Sequence, residues 1–306
     1  MFKKILAVVL VFSFAFAFAA CGKDNEVTAG TTATDAYADL FAEGKTTEPV
    51  TEVEVVTDAA GEVVTAAGGE VVTEAVVVTE PPMTNAAGEI IVMPETTEEI
   101  VAYFNDAVNG VKTNATSVKR NYSKISLNGT PVLPGVVDGI LKLLGGADKF
   151  LGDQLAKNSK GEETYTGADI KAVFPVETES YASKLTASDV ESAKIVKDGD
   201  GNFVIRVVTK KDDKSSTVQH GQGHAPKAFN VVLPGVVNDA LGSIPGAKGI
   251  VGEASMNYPS STATIVVDPM TGKVIKATYD LKWTINFDKA GVIIPFTTLD
   301  EFVITY

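Results

Sequence analysis

One cysteine, one tryptophan and two histidines stand in a chain of 306 residues. A lone cysteine excludes a disulfide framework within the chain. The two histidines, His220 and His224, leave little for nucleophilic or metal chemistry. No HExxH, GxSxG, Walker or GxGxxG pattern is present. No basic stripe interleaved with aromatics occurs, so nucleic acid is not an expected partner. Past residue 20, no apolar run reaches the roughly 20 residues that a membrane-spanning helix needs. The expectation is a non-enzymatic protein with no cofactor.

What is present begins at the N-terminus, "MFKKILAVVLVFSFAFAFAACGK". Lys3 and Lys4 form a positive n-region, and Ile5–Ala20 is an uncharged, almost wholly apolar h-region ending in small residues. "FAAC" resembles the lipobox of bacterial lipoproteins, with Phe18 where Leu is usual. That resemblance implies that residues 1–20 are a signal peptide and that Cys21 carries fatty acyl chains such as palmitate. At about 0.8 kcal/mol per buried methylene, several acyl chains anchor a protein stably. The alternative is an ordinary cleaved signal with a leftover thiol. The expected location is the extracytoplasmic face of the membrane, held by the N-terminal lipid.

From residue 21 to 95 the chain is rich in Thr, Val, Ala, Glu and Gly. Residues 22–95 carry 15 acidic and 2 basic residues, a net charge of −13, against −13 for the whole chain. The rest of the chain is therefore nearly neutral, and the sequence pI of 4.7 describes this stretch rather than a charged site. "EVVT" recurs at Glu54, Glu62 and Glu70, and aromatics are limited to Tyr37 and Phe41. Steady negative charge and few aromatics predict a disordered, self-repelling tether. A short β-solenoid is the alternative, because Val and Thr favour strands.

Residues 96–306 read as a single α+β domain. Thr96 and Glu99 form a capping box, and Ile100, Phe104, Val108 and Val111 share one helical face. Strands are expected at 117–127, in a hairpin through "DGDGN" at 198–202, in a second hairpin through Asp268–Gly272, and at the C-terminus. The "DGDGN" turn is not a calcium loop, since Phe203 and Thr209 stand where Gly and Glu are required. "EETYTGADIKAVFPV" (162–176) reads as extended, and "LTASDV" as a helical turn capped by Thr186 or Ser188. Ile275, Ala277, Tyr279, Leu281, Trp283, Ile285 and Phe287 alternate with polar residues. That is one apolar face of a long strand, which must curve or twist to stay covered. The expected architecture is a long curved antiparallel sheet with helices on one face, like a half-barrel.

"VLPGVV" occurs at Val132–Val137 and again at Val232–Val237, opening two similar segments, 132–149 and 232–249. "TGADIKA" (166–172) and "TGKVIKA" (271–277) agree at five of seven positions. An internal duplication is one explanation. The segments themselves read as helices packed on the sheet, as mobile covers over an apolar pocket, or as tips that touch the membrane. Their glycines make them weak helices.

Candidate ligand-lining residues are Val136, Val137 and Leu141 in one copy, Val236, Val237 and Leu241 in the other, and Tyr279, Trp283 and Phe287 on the long strand. The aromatic stripe equally serves as the core face of the sheet. His220 and His224 are weak metal candidates with Asp212 or Asp213. Their setting, "SSTVQHGQGHAPKAF", reads as a solvated loop, so no metal is expected.

"ETYTGADIKAVFPV" and "SKLTASDV", behind a lipobox and tether, resemble uncharacterised membrane-anchored lipoproteins of Gram-positive gut bacteria. "DPMTGKVIKATYDL" (268–281) resembles the half-barrel carriers of lipids and lipoproteins in bacterial envelopes. The second resemblance implies a curved sheet and helical cover enclosing an apolar cavity, and brings no catalytic residues. The expected function is binding of an apolar or amphiphilic ligand, such as a lipid, between sheet and cover. The alternative is a structural or adhesive surface module for protein or glycan.

Overall fold

The computed structural model describes residues 37–42, 51–55, 73–77, 83–84, 88 and 90–306, with breaks at 136–137, 139–141, 143–145, 177–181 and 244–245. The predicted signal peptide and Cys21 lie outside these residues, as do Val136, Val137 and Leu141. The chain divides into two compact units, one spanning Thr34–Val92 and one containing Met93–Tyr306.

The smaller unit holds a two-stranded antiparallel pair, β1 (Thr51–Val55) and β2 (Thr73–Val77), with Thr51 opposite Val77. Regular pairing at these ten residues differs from the structureless tether expected there. Both strands lie in Val- and Thr-rich sequence, which suits extended backbone.

The larger unit is α+β, built on an open nine-stranded antiparallel sheet. Helix α1 (Thr97–Asn114) starts at the Thr96–Glu99 capping box. The Glu99 carboxylate accepts from the Thr96 backbone N–H at 3.1 Å, and the Thr96 hydroxyl accepts from Glu99 N–H at 3.2 Å. The backbone N–H groups of Thr96 and then Glu95, each at 3.1 Å, and the Thr96 hydroxyl hold the Glu99 carboxyl below its usual range. The α1 face of Ile100, Phe104, Val108 and Val111 is buried, as its spacing predicts. After β3 (Ser117–Leu127) come α2 (Ala147–Asn158), β4 (Glu163–Thr166) and α3 (Ala168–Val173). Then β5 (Val190–Lys197), β6 (Phe203–Thr209) and β7 (Asp212–Ser215) follow, then α4 (Pro234–Ser243) and α5 (Ala247–Val251). The chain closes with β8 (Ala254–Tyr258), β9 (Thr262–Asp268), β10 (Lys273–Phe287) and β11 (Val292–Thr305).

The strand order is β4-β3-β11-β10-β9-β6-β5, and β8 extends the β9 row along β10 and carries β7. β4 and β5 are the free edges of that path. Rings fix which face is covered. Tyr103 of α1 meets Phe203 at 6.3 Å, and Phe174, just past α3, meets Tyr279 at 5.9 Å and Phe302 at 5.6 Å. Phe203, Tyr279 and Phe302 share one sheet face by register, so α1 and α3 cover the same side.

Three expectations need correction. Residues 168–173 are helix rather than extended chain: Ile170 and Phe174, one turn apart, both bury, and the Phe174 N–H donates to the Ile170 carbonyl at 2.9 Å. The apolar alternation of β10 starts at Ala277. A register shift between Val274 and Lys276 buries Val274 and leaves Ile275 36% exposed. Finally, "TGADIKA" runs into helix α3 whereas "TGKVIKA" runs into strand β10, so that anchor is no structural repeat.

The two VLPGVV copies converge nonetheless. Val132 and Ile293 form a two-bond bridge at 2.8 and 3.0 Å, and Pro134 packs at Gly291 in the β10–β11 turn. In the second copy Pro234 opens α4, where its missing N–H costs nothing. Asn238 clamps Ala254 through both side-chain atoms, at 2.7 and 3.0 Å, and the Lys289 ammonium of the same β10–β11 turn donates to the Gly249 carbonyl. Both copies are therefore tied to the β10–β11 turn at one end of the sheet.

Candidate functional site

Register places a line of polar side chains across the covered face. Lys160 is bridged to Ser123 of β3 by backbone bonds of 2.7 and 2.8 Å. Ser123 stands opposite Asp300 of β11, and Asp300 opposite Tyr279 of β10. One row away, Ile125 stands opposite Thr298, and Thr298 opposite Leu281. Side chains directly opposite in an antiparallel pair share a face with Cβ atoms about 5 Å apart. The row therefore lies among the buried core residues Ile125, Leu281 and Phe302.

Ser123, Thr298, Asp300 and Lys160 all keep accessible surface, whereas Phe296, Phe302, Tyr279 and Trp283 on the same face are buried. The helical cover thus leaves these four polar residues partly accessible, and that opening over the β3–β11 pair is the candidate recess. Tyr279 beside it is 1% exposed, with Phe174 edge-on at 5.9 Å and Phe229 edge-on at 5.5 Å. Its hydroxyl is buried and, among the described residues, has no hydrogen-bond partner. Burial and, after it, the Asp300 charge push the Tyr279 phenol far above its ordinary value, so it stays neutral. Asp300 is hemmed in closely enough that burial pushes its carboxyl up to about 6, against the pull of the Ser123 hydroxyl, Arg120 and Lys160. Arg120 is itself engaged. It donates to Glu163 at 2.9 Å and to the Gly161 carbonyl at 3.3 Å, and lies 5.2 Å from the Tyr165 ring.

Trp283 borders the recess. It stacks on Phe296 at 4.3 Å, and its indole N–H donates to the Thr298 hydroxyl at 3.1 Å. Phe287 is buried at the far end of β10, opposite Ala254 of β8. Val237 and Leu241 are buried on α4, which packs on β8. Val236 is 41% exposed and lines no interior surface. Of the nine lining candidates, Tyr279 and Trp283 meet at the recess. Ser123, Thr298 and Asp300 escape sequence reasoning because each is a polar residue on a face that apolar residues define. Asp300 and Thr298 do alternate with Phe302 and Phe296 along β11, and that is the signal that could have found them.

The histidine loop is a second polar cluster and is not a free solvated loop. His224 Nδ1–H donates to Asp189 Oδ1 at 2.9 Å, and the Lys227 ammonium donates to the same oxygen at 2.6 Å. Asp189 Oδ2 accepts from the Thr186 N–H at 2.9 Å and from its hydroxyl at 2.7 Å. Burial alone would raise the Asp189 carboxyl. The bonds from Lys227, Thr186 and His224 outweigh it and hold the group down at about 2. Both Asp212 oxygens are occupied by the N–H groups of His224 and Ala225, at 2.6 and 2.8 Å. Burial, followed by Lys112, holds the His220 imidazole below its ordinary value. Among the described residues no group of three or more His, Cys, Asp or Glu is placed to hold a metal ion. His224 and Asp212 are instead tied with Asp189, Lys227 and Thr186 into a staple. It fixes the loop so that Ala225, Ala228 and Phe229 bury, with Phe229 against Tyr279.

No protein-family model, curated protein or solved structure gives a significant match to this chain.

Proposed function

We propose that this is a non-enzymatic, lipid-anchored extracytoplasmic surface protein whose α+β domain binds an amphiphilic ligand in the recess on the covered face of its sheet. The observation that carries the reading is the Tyr279 hydroxyl, buried and unpartnered among the described residues, across from the partly accessible Asp300. A buried hydroxyl without a partner costs about 1–3 kcal/mol, and folded proteins satisfy nearly all such groups. A polar ligand group set beside Asp300 and reaching Tyr279 removes that cost. The charged n-region, the apolar h-region and Cys21 support the anchor. The acidic stretch after Cys21 supports a role in holding the domain off the membrane. A second reading, an adhesive module for protein or glycan, draws support from Val132 and Ile293, bridged neighbours that are 54% and 41% exposed.

Native mass spectrometry of the purified full-length protein, before and after solvent extraction, tests the first reading. A discrete non-covalent adduct that extraction removes is expected, while a covalent anchor stays. Preparations that never carry an adduct and never take one up from added amphiphile would sink it.

A further inference from the structure

We infer that Asn128 is a self-modification site: its side-chain amide condenses with the Gly129 backbone nitrogen, and the isoaspartate that results slackens the bridge between Val132 and Ile293.

Asn-Gly occurs twice in the chain, at 109–110 and at 128–129. The two pairs are chemically identical and structurally opposite. The first lies inside α1, where the Gly110 N–H belongs to the helical ladder. The Asn109 side chain is held at both ends. It donates to the Ser183 carbonyl at 3.1 Å and accepts from the Ser183 N–H at 2.7 Å. Neither group can turn toward the other without unwinding the helix. Asn128 and Gly129 directly follow β3 and are exposed. Among the described residues, no hydrogen bond engages the Asn128 side chain or the Gly129 N–H. Gly129 has φ +120° and no Cβ, so residue 129 puts no side chain in the way of its own nitrogen.

The step balances with water alone. Solvent base takes the Gly129 amide proton, and the nitrogen attacks Asn128 Cγ. A succinimide ring closes as the Cγ–Nδ2 bond breaks, and Nδ2 takes up a proton and leaves as ammonia. Water then opens the ring at either carbonyl. Opening at Cγ gives aspartate. Opening at the main-chain carbonyl gives isoaspartate, whose chain runs on through Cβ and Cγ. Nothing is oxidised or reduced.

The placement gives the reaction a consequence. The Asn128 N–H donates to the Pro295 carbonyl at 3.0 Å, and Val132 and Ile293 exchange bonds of 2.8 and 3.0 Å. Isoaspartate inserts a methylene into the main chain between these two clamps and leaves a carboxylate on the turn. A longer connection shifts their register. The Val132 bridge is an isolated pair, whereas Asn128 adjoins the continuous β3–β11 ladder, so the bridge gives way. The first VLPGVV segment then loses one of its ties at the β10–β11 end of the sheet.

Full-length protein is incubated at pH 8.5 and 37 °C, and samples are cleaved after Lys and Glu. Residues 100–112 and 125–142 then fall in separate peptides, each with one Asn-Gly. The 125–142 peptide is expected to gain about 1 Da, with isoaspartate in excess of aspartate, at least about tenfold faster than the 100–112 peptide. In concentrated urea the two should convert at similar rates. Asn128→Gln, whose longer side chain closes that ring poorly, is expected to leave 125–142 unchanged. Amide exchange at Val132 and Ile293 should quicken at least about tenfold in the aged parent and not in the aged Asn128→Gln variant. Equal rates at the two sites in the folded protein, or aspartate without isoaspartate, overturn the site. A rate gap that persists in urea overturns the structural argument for it. Conversion with unchanged exchange at Val132 and Ile293 overturns the slackening.

Discussion

Asp189 and Asp300 are enclosed carboxylates of one domain, and their surroundings are opposite. Asp189 accepts from Lys227, His224 and two Thr186 donors, and is held at about 2. Asp300 has the Ser123 hydroxyl as a donor and feels Arg120 and Lys160 through their charge alone, and stands at about 6. Burial raises both, so the difference lies in the donors supplied. A carboxylate given all its donors is a structural fastener. A carboxylate left short of donors, next to a hydroxyl with no partner among the described residues, is where the proposed ligand would bind.

The largest effect that separates them is expected at the staple. Asp189→Ala leaves Lys227, His224 and the Thr186 N–H without their acceptor inside the fold. Removing one partner of a buried charge pair costs roughly 3 kcal/mol or more. Thermal or urea unfolding reads it, and a loss below about 1 kcal/mol would make the staple ornamental. Gly223→Ala strikes the same staple through the backbone. Gly223 has φ +81°, and a Cβ there would stand 2.6 Å from Asp212 Oδ1. A loss of about 2 kcal/mol is expected.

At Asp300 the sign reverses. In the fold its carboxyl titrates at about 6, well above the ordinary aspartate range, so the ionised form costs stability at neutral pH. A rise of that size corresponds to roughly 2–3 kcal/mol. Asp300→Asn is therefore expected to raise the unfolding free energy at pH 7.5 by about 1–2 kcal/mol. The pH profile carries both signatures. As pH falls from about 6 to about 4, the native state takes up a proton at Asp300 before the unfolded chain does, and stability rises. As it falls from about 4 toward 2, the unfolded chain protonates at Asp189 first, and about 2 kcal/mol is lost. Asp300→Asn should abolish the rise and keep the fall; a variant profile that still rises would mean that another group carries it.

The contrast also shows what the sequence could reveal. Helix α1, the two hairpins and the long strand are legible because capping, Asp-Gly turns and period-two alternation are local signals. The α+β class follows from them. Helix α3 is not legible, because six residues after a glycine carry too little periodicity and the burial of Ile170 and Phe174 decides the outcome. Strands β7 and β8 escape for the same reason: Asp212–Ser215 is polar and short, and its pairing with β8 is a tertiary fact. The recess is least legible of all. Ser123, Asp300 and Tyr279 are brought together by register between strands far apart in the chain, whereas Trp283 and Tyr279 are visible in the sequence because they stand on one strand.

The smallest effect is the most discriminating. Tyr279→Phe removes a hydroxyl that has no partner among the described residues and keeps the ring between Phe174 and Phe229. Truncating a bonded buried hydroxyl usually costs about 1 kcal/mol, whereas removing an unpartnered one is neutral or stabilising by up to about the same amount. The ligand-free variant should therefore melt at or slightly above the parent temperature, and the gain should vanish when ligand is present, because the parent alone then forms the bond. A clear drop in the melting temperature of the ligand-free variant would mean that the hydroxyl already has a partner inside the fold, and the recess would lose its defining feature.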